Sequence, residues 1–105
     1  MFQMDNYVLG KKLMDVSHER QKIYASNLAN IETPAYKRMD IDPSFESNLM
    51  SAVHRDRFDD VNKMEVRVRR DRESKPTRED GNNVELNAEL LRINQNAMDF
   101  EFLSL

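Results

Sequence analysis

The sequence predicts a mainly α-helical protein whose long N-terminal and C-terminal helices form a coiled-coil-like pair. Two apolar stripes with helical spacing occupy the ends of the 105-residue chain, and the loop-rich segment between them contains a short β-strand or hairpin. The predicted first helix covers residues 1–31, the middle segment covers 32–83 with its strand near 61–69, and the second helix covers 84–105. A chain of this length is expected to form one domain.

The first helix is predicted from an apolar stripe between about Phe2 and Ile31. Its members mostly recur at intervals of one or two helical turns, and they are Leu9, Leu13, Val16, Tyr24, Leu28 and Ile31. Arg20 interrupts the stripe where a further apolar residue is expected. A helix of about 28 residues is about 42 Å long, which exceeds the diameter of a small domain, so it is expected to need a partner.

The end of this helix is predicted from residues that disfavour a continued helix. Asn27 and Asn30 are poor helix-interior residues but accept the left-handed conformation common at helix C-termini. Thr33 precedes Pro34, which favours an extended conformation at Thr33 and a turn at Pro34. The pattern indicates a packing joint rather than a catalytic centre.

A short helix is predicted early in the middle segment. Residues 45–53 place Phe45 and Leu49 on one face, which is typical of a helix that covers a small core. Asp42 or Ser44 is expected to cap its N-terminus.

A strand and a loop are predicted after this helix. Residues 61–69 alternate between apolar and charged side chains, with Met64, Val66 and Val68 on the same face, as in a half-buried strand. Residues 70–83 are almost entirely polar and indicate an exposed linker or loop.

The second helix is predicted from a heptad pattern. Asn82 and Glu85 have the spacing of a capping box, and Asn87 is a second candidate cap. The apolar residues that follow step by four, three, four and three positions, and they are Leu86, Leu90, Ile93, Ala97 and Phe100. These five residues, called the seam below, predict a face that packs on another helix.

Composition argues against several functional classes. The net charge of -3 and the acidic residues within the basic cluster at 67–78 predict a solvated loop, or electrostatic docking to an acidic neighbouring subunit, rather than nucleic-acid binding. The chain has no Cys, and its two histidines, His18 and His54, lack the spacing of a zinc motif. No nucleophile signature is present. The sequence therefore predicts no enzyme activity, no metal or other cofactor and no small-molecule substrate.

Two motifs resemble those of the bacterial flagellar rod, hook and hook-associated proteins. The residues that match the first motif are Ala25, Asn27, Leu28, Ala29, Asn30, Thr33, Pro34, Tyr36 and Lys37. The residues that match the second motif, which is similar to that of proximal rod subunits, are Asp80, Gly81, Asn82, Val84 and Asn96. The family usually has Gly where this chain has Ala35, and since a β-carbon disfavours positive φ, a type I turn is expected there.

The resemblance implies a structural subunit of the flagellar basal-body rod, in its proximal part, that contributes to motility. Such a subunit would self-associate through its terminal helices, with the first stripe and the seam as the assembly interface. Its expected partners are other rod subunits, the rod-base adaptor protein and the export apparatus. The resemblance also implies type III export to the periplasmic rod without a cleaved signal peptide, since residues 1–10 lack the pattern of one.

Other interpretations remain open at this point. The chain resembles other rod subunits of the same family, and its stripes also fit a soluble coiled-coil adaptor or export chaperone. Without the resemblance, the stripes predict an intramolecular helical hairpin as readily as a polymer. Relatives continue beyond the position of Leu105, so a truncated chain or a short homologue is expected, whose helices pair weakly before assembly.

Overall fold

The protein is described by a computed structural model that covers residues 2–76 and 78–105. Its helices and strands, in chain order, are α1 (Phe2–Ala29), β1 (Met39–Ile41), α2 (Pro43–His54), α3 (Phe58–Lys63), β2 (Val68–Arg70) and α4 (Leu86–Leu103). Long terminal helices that pack on each other and a small antiparallel sheet between them confirm the predicted fold class. Met1, in the predicted first segment, and Thr77, in the predicted linker, lie outside the described residues.

The apolar core lies mainly between α1 and the middle segment. Its buried residues come from α1, β1, α2 and α3, and they are Val16, Ile23, Tyr24, Ile41, Phe45, Leu49, Ala52 and Val61. From α4, Ile93 packs against this cluster. The middle segment therefore supplies the apolar surface that α1 needs, because it folds back along the helix.

Helix α2 begins as the sequence predicts. Asp42 is its N-cap, and the Asp42 carboxylate accepts a hydrogen bond from the backbone nitrogen of Ser44 at 2.9 Å. Pro43 occupies the first turn, where its missing N–H leaves no helical hydrogen bond unmade. The buried face consists of Phe45, Leu49 and Ala52.

The predicted strand at 61–69 is wrong over most of its length. Residues 58–63 form α3, which carries Asp59 and Asp60 in its first turn and buries Val61 completely. The alternation at Met64 and Val66 comes from an extended segment that packs on the core without pairing.

The strand that does form after α3 is β2, which has three residues and begins at Val68. Strand β2 pairs antiparallel with β1, and Met39, Asp40 and Ile41 lie opposite Arg70, Arg69 and Val68. Val68 is exposed, so the predicted apolar face does not continue to it.

The outer edge of β1 is covered by α1. The Asn27 side chain accepts a hydrogen bond from the Met39 backbone nitrogen and donates one to the Met39 carbonyl oxygen, both at 2.9 Å. The side chain of Asn27 thus takes the place of a neighbouring strand. Within the described residues, the sheet has two strands, so β2 is its other edge.

Candidate functional site

The two motif segments, separated by about 50 residues in the sequence, meet at the C-terminal end of α1. The Ala35 backbone nitrogen donates to the Asp80 carbonyl oxygen at 2.8 Å, and the Asn83 backbone nitrogen donates to the Tyr36 carbonyl oxygen at 3.3 Å. The Asn83 side chain also accepts a hydrogen bond from the Arg38 backbone nitrogen at 2.7 Å. We call the contact between residues 27–38 and 78–84 the joint.

Asn82 closes the end of α1. Its side-chain nitrogen, which is fully buried, lies 2.9 Å from the carbonyl oxygen of Asn30, 3.1 Å from that of Ile31 and 2.8 Å from that of Thr33. Arg78 also donates to the Ile31 carbonyl oxygen. These carbonyl groups lie in the turn that follows α1, so the second motif satisfies backbone acceptors of the first motif.

The predicted capping box of α4 does not form. The N-cap of α4 is Glu85, which makes no side-chain hydrogen bond to the helix, and Asn87 lies inside the helix. Asn82 is unavailable as a cap because its amide nitrogen binds α1 and its amide oxygen accepts from the Val84 backbone nitrogen at 2.7 Å. The prediction of an exposed linker up to residue 83 is wrong at its end for the same reason, since Asn82 and Asn83 are buried.

Asn27 organises the other side of the joint. Besides its two bonds to Met39, its side-chain oxygen accepts a hydrogen bond from the Tyr36 hydroxyl at 3.0 Å. Asn27 is fully buried, and all of these bonds are made to groups that follow the turn. A single side chain in α1 thus fixes the path of the chain as it leaves the helix.

The remaining motif residues contribute unequally. Thr33 donates to the Asn30 side chain at 3.1 Å, and Lys37 donates to the Gly81 carbonyl oxygen. Val84 is buried and Leu28 is half-buried. The motif residues with exposed side chains that make no hydrogen bond in the joint are Ala25, Ala29 and Pro34.

The turn at Ala35 differs from the prediction. Ala35 has a φ of 62°, in the left-handed region, so the expected type I turn is wrong. Gly81, on the facing segment, has a φ of 80°, and a β-carbon placed there would lie 3.7 Å from the Ala35 Cα atom. The hydrogen bond from Ala35 to Asp80 holds Ala35 in a conformation that its own β-carbon disfavours.

A buried ionic cluster lies beneath the joint and connects it to α4. Arg38 is 1% exposed, and its Nε donates to Glu89, which is fully buried, at 2.5 Å. Its Nη1 donates to Asp71 at 2.5 Å and to Asp40 at 3.0 Å. Arg92 contacts the same Glu89 oxygen at 3.1 Å. The ionic cluster therefore joins the segment before β1, the loop after β2 and α4.

The pKa values in the cluster favour its charged form. Burial alone would lower the pKa of Arg38, but hydrogen bonds and the charge of Glu89, followed by hydrogen bonds to Asp71 and Asp40, raise it above the ordinary value. Burial alone would raise the pKa of Asp71, but hydrogen bonds from Ser74, Arg38 and backbone amides lower it to about 2. Arg38 and Asp71 are therefore both charged at neutral pH.

The face of α4 that packs on α1 is polar. Glu89 binds Arg38, and the Asn96 side chain accepts from the Ser17 hydroxyl at 3.1 Å and donates to the Ser17 carbonyl oxygen at 2.8 Å. Glu89 and Asn96 directly precede Leu90 and Ala97, so the buried polar residues lie about 100° around the helix from these two seam residues.

The predicted interface residues differ in exposure between α1 and α4. In α1, Val16 and Tyr24 are buried in the core, and Leu9, Leu13 and Leu28 are half-buried, as is Ile31 just beyond the helix. In the seam only Ile93 packs against the core, whereas Leu86 is 49% exposed and Leu90 and Phe100 are each 41% exposed. Ala97 is also exposed.

A second apolar row lies on another side of α4, turned away from α1. Its members are largely exposed, and they are Leu91, Met98 and Phe102, followed by Leu105 just beyond the helix. At the N-terminal end of α1, Met4 and Tyr7 are also exposed. Exposed apolar patches of this kind are typical of surfaces that bind other proteins.

One cleft of about 700 Å³ lies between α1, α2, the sheet and α4. Its lining carries both signs of charge, and Arg20 pairs there with Glu46. Burial, followed by the negative charge of Asp40, raises the pKa of Tyr24, so its phenol stays protonated at neutral pH. No group of His, Asp and Glu side chains among the described residues could hold a metal ion.

Sequence reasoning missed the ionic cluster. Arg38 directly follows the first motif and belongs to no apolar pattern, and Asp71 lies in a segment predicted to be an exposed loop. The only local signal is Glu89, a carboxylate on a helix whose neighbouring positions are apolar. Its partner lies 51 residues earlier in the sequence, where no helical or strand periodicity relates the two.

Comparison with known proteins gives one informative similarity. No protein-family model matches the chain. The chain is 28% identical over 113 aligned residues to the flagellar basal body rod protein FlgB of Borrelia hermsii, and the alignment covers 91% of this chain and 82% of that protein. This similarity supports a relationship to flagellar rod proteins, in agreement with the motifs. In the part of the chain that the structure describes, no helix is long and apolar enough to cross a membrane.

Proposed function

We propose that this chain is a structural subunit of the flagellar basal-body rod, of the FlgB-like proximal type, which self-assembles through its terminal helices. The observation that carries the proposal is the arrangement of α4, whose polar face binds Arg38 and, in α1, Ser17, while every seam residue except Ile93 stays exposed. Similarity to a flagellar basal body rod protein supports the location of the assembly.

The exposed rows of α4 contribute most when neighbouring subunits cover them. Burial of about 600 Å² of apolar surface per subunit would contribute about 15 kcal/mol. The loss of rotational and translational freedom on association costs about 4–15 kcal/mol. Two contacts per subunit, one on the seam and one on the second row, would therefore stabilise a polymer better than either contact alone.

The joint and the ionic cluster give such a subunit a rigid frame. Asn82 ties the second motif to the end of α1, and Arg38 ties the same region to α4. A rod that transmits torque needs helices held in one register, and buried polar contacts specify register. We infer that other rod subunits, the rod-base adaptor protein and the export apparatus are the partners, and that the subunit reaches the periplasmic rod by type III export without a cleaved signal peptide.

The proposal is tested by placing charges on the seam. Leu90→Asp/Phe100→Asp is expected to abolish rod assembly in cells and association of the purified chain, because both side chains are exposed in the subunit and would be buried between subunits. Asn87→Asp/Asn94→Asp adds the same charge to exposed polar positions of α4 and is the matched control.

The readouts are motility of the cells and sedimentation of the purified protein, with circular dichroism to confirm that both variants stay folded. Normal motility of the seam variant would overturn the proposal. Another rod subunit of the family would give the same result, and complementation of strains that each lack one rod protein distinguishes the subtypes. The paired strands β1 and β2 do not favour a wholly helical adaptor or chaperone.

A further inference from the structure

Strand β2 and the loop after it carry cations that have no ionic partner within the described residues. These side chains are exposed, and they are Arg67, Arg70, Arg72 and Lys75, called the basic edge below. Arg69, between them, is instead paired with Asp42 and Glu73, each at 3.5 Å. The basic edge thus presents four positive charges to solvent on β2 and on the segments that flank it.

The buried ionic cluster is the reason why the basic edge lacks counter-charge. Asp71 lies between Arg70 and Arg72 in the sequence, but its side chain turns inward to Arg38 and is only 10% exposed. Its charge is therefore used inside the protein and does not neutralise its two neighbours. An exposed strand edge lined with unpaired cations is a surface suited to an acidic partner.

A concentration of carboxylates lies at the other end of the molecule. Four acidic side chains surround a hollow of about 440 Å³ at the start of α1 and the start of α3, and they are Asp5, Asp56, Asp59 and Asp60, called the acidic end below. Arg57 is the only cation in the lining, and it lies 3.6 Å from Asp60. A positively charged surface complements this excess of carboxylates.

Arg70 of the basic edge lies far from Asp5 of the acidic end. Asp5 precedes Asn27 by 22 residues in α1, which corresponds to about 33 Å along the helix axis. Asn27 binds Met39, and Met39 lies opposite Arg70 in the sheet, so the basic edge is near the far end of α1. The molecule is 53 Å long, so this separation is more than half of its length.

We propose that the basic edge docks on the acidic end of a second copy of this chain. The inference rests on the proposed self-assembly and adds a second, electrostatic contact to the apolar contacts of α4. Because the two surfaces differ, the contact is heterologous, and its repetition forms a head-to-tail ring or an open head-to-tail series rather than an isologous dimer. The charges set the register and the rate of assembly, whereas the apolar rows supply most of the affinity.

A charge-swap experiment tests the contact. Arg67→Glu/Arg70→Glu and Asp5→Lys/Asp59→Lys are each expected to slow association of the full chain at least about tenfold in light scattering. An equimolar mixture of the two variants is expected to regain the wild-type rate, because every contact in an alternating series then joins opposite charges. The wild-type rate is also expected to fall between about 0.05 M and about 0.5 M salt, since salt screens exposed charges.

Matched controls separate this contact from net charge and from folding. Lys11→Glu/Lys22→Glu reverses two exposed cations outside both surfaces and is expected to associate at the wild-type rate. Circular dichroism identifies any variant that has lost its helices, and the mixture provides the decisive result because misfolded chains would not rescue each other.

Each outcome gives a distinct answer. Restoration in the mixture, with neither variant assembling at the wild-type rate alone, supports the contact. Wild-type rates for both variants, or a mixture that stays slow, would overturn it while the apolar assembly through α4 stands. A wild-type chain that does not associate at any concentration would instead overturn the proposed self-assembly itself.

Discussion

Replacement of Arg38 by Met is predicted to destabilise the protein strongly because it leaves buried carboxylates without their cation. Glu89 is fully buried and Asp71 is 10% exposed, and both accept hydrogen bonds from Arg38 at 2.5 Å. Removal of one partner from a buried ion pair costs about 3–5 kcal/mol. That loss is a large fraction of the total stability of a domain of this size, which is about 5–15 kcal/mol.

The double variant Arg38→Met/Glu89→Leu tests the cause. It replaces the most buried ion pair by apolar groups, and it also removes two atoms that have no hydrogen-bond partner among the described residues, Arg38 Nη2 and Glu89 Oε2. Replacement of a buried pair by apolar residues is often neutral or stabilising. The double variant is therefore expected to be at least about 2 kcal/mol more stable than Arg38→Met, although it carries one more substitution.

The assay is urea denaturation followed by circular dichroism, with the double-mutant cycle completed by Glu89→Leu. The surface substitution Arg72→Met is the control and is expected to change the free energy of unfolding by less than about 0.5 kcal/mol. A loss below about 1 kcal/mol for Arg38→Met, or additive effects in the cycle, would refute the assignment of the cluster as a buried charge network.

Three further predictions concern the joint and the cluster. Ala35→Gly is expected to raise the free energy of unfolding by about 0.5–1 kcal/mol because it relieves the positive φ, whereas Ala25→Gly, in the interior of helix α1, should lower it by about as much; a lower melting temperature for Ala35→Gly would contradict this. Asn82→Ala is expected to cost about 1–3 kcal/mol and to speed hydrogen exchange of amides in the turn after α1, since the carbonyl groups of Asn30, Ile31 and Thr33 lose their partner; unchanged exchange would argue against this role of Asn82. The pKa of Asp71 is lowered in the folded state to about 2 from its ordinary 3.8, so it contributes about 2 kcal/mol that is present above pH 4 and is lost as the pH falls to about 2; Asp71→Asn should flatten that part of the stability profile, and an unchanged slope would count against it.

The long helices were predictable because their signal is local and repeated. The stripe of α1 and the seam of α4 each span several turns, and the structure has helices at both, with ends one or two residues inside the predicted bounds. The short elements carried less information. Helix α3 has only six residues, of which Val61 is buried, which is too short for a helical apolar pattern to be recognised. The alternating pattern at 61–69 overlaps the end of α3 and therefore predicted a strand there.

The joint was predictable in location but not in its contacts. The residues after α1 indicated a packing joint, yet the hydrogen bonds that form it come from a segment about 50 residues later. Asn82 illustrates the difficulty, since its spacing to Glu85 favours a cap for the following helix while its side chain closes the preceding one. The positive φ of Ala35 has the same origin, because a hydrogen bond from another segment outweighs the local preference.

The rotation of α4 connects the buried polar contacts to the exposed apolar surface. A rotation of about 100° would turn the seam towards α1 and bury Leu90 and Ala97 within the chain, as the heptad pattern alone predicts. That rotation would break the hydrogen bonds of Glu89 and Asn96 and leave Arg38 without its most buried partner. The buried polar contacts therefore hold the seam outward, where only another protein surface can cover it, so the stability of the subunit and its capacity to assemble depend on the same few side chains.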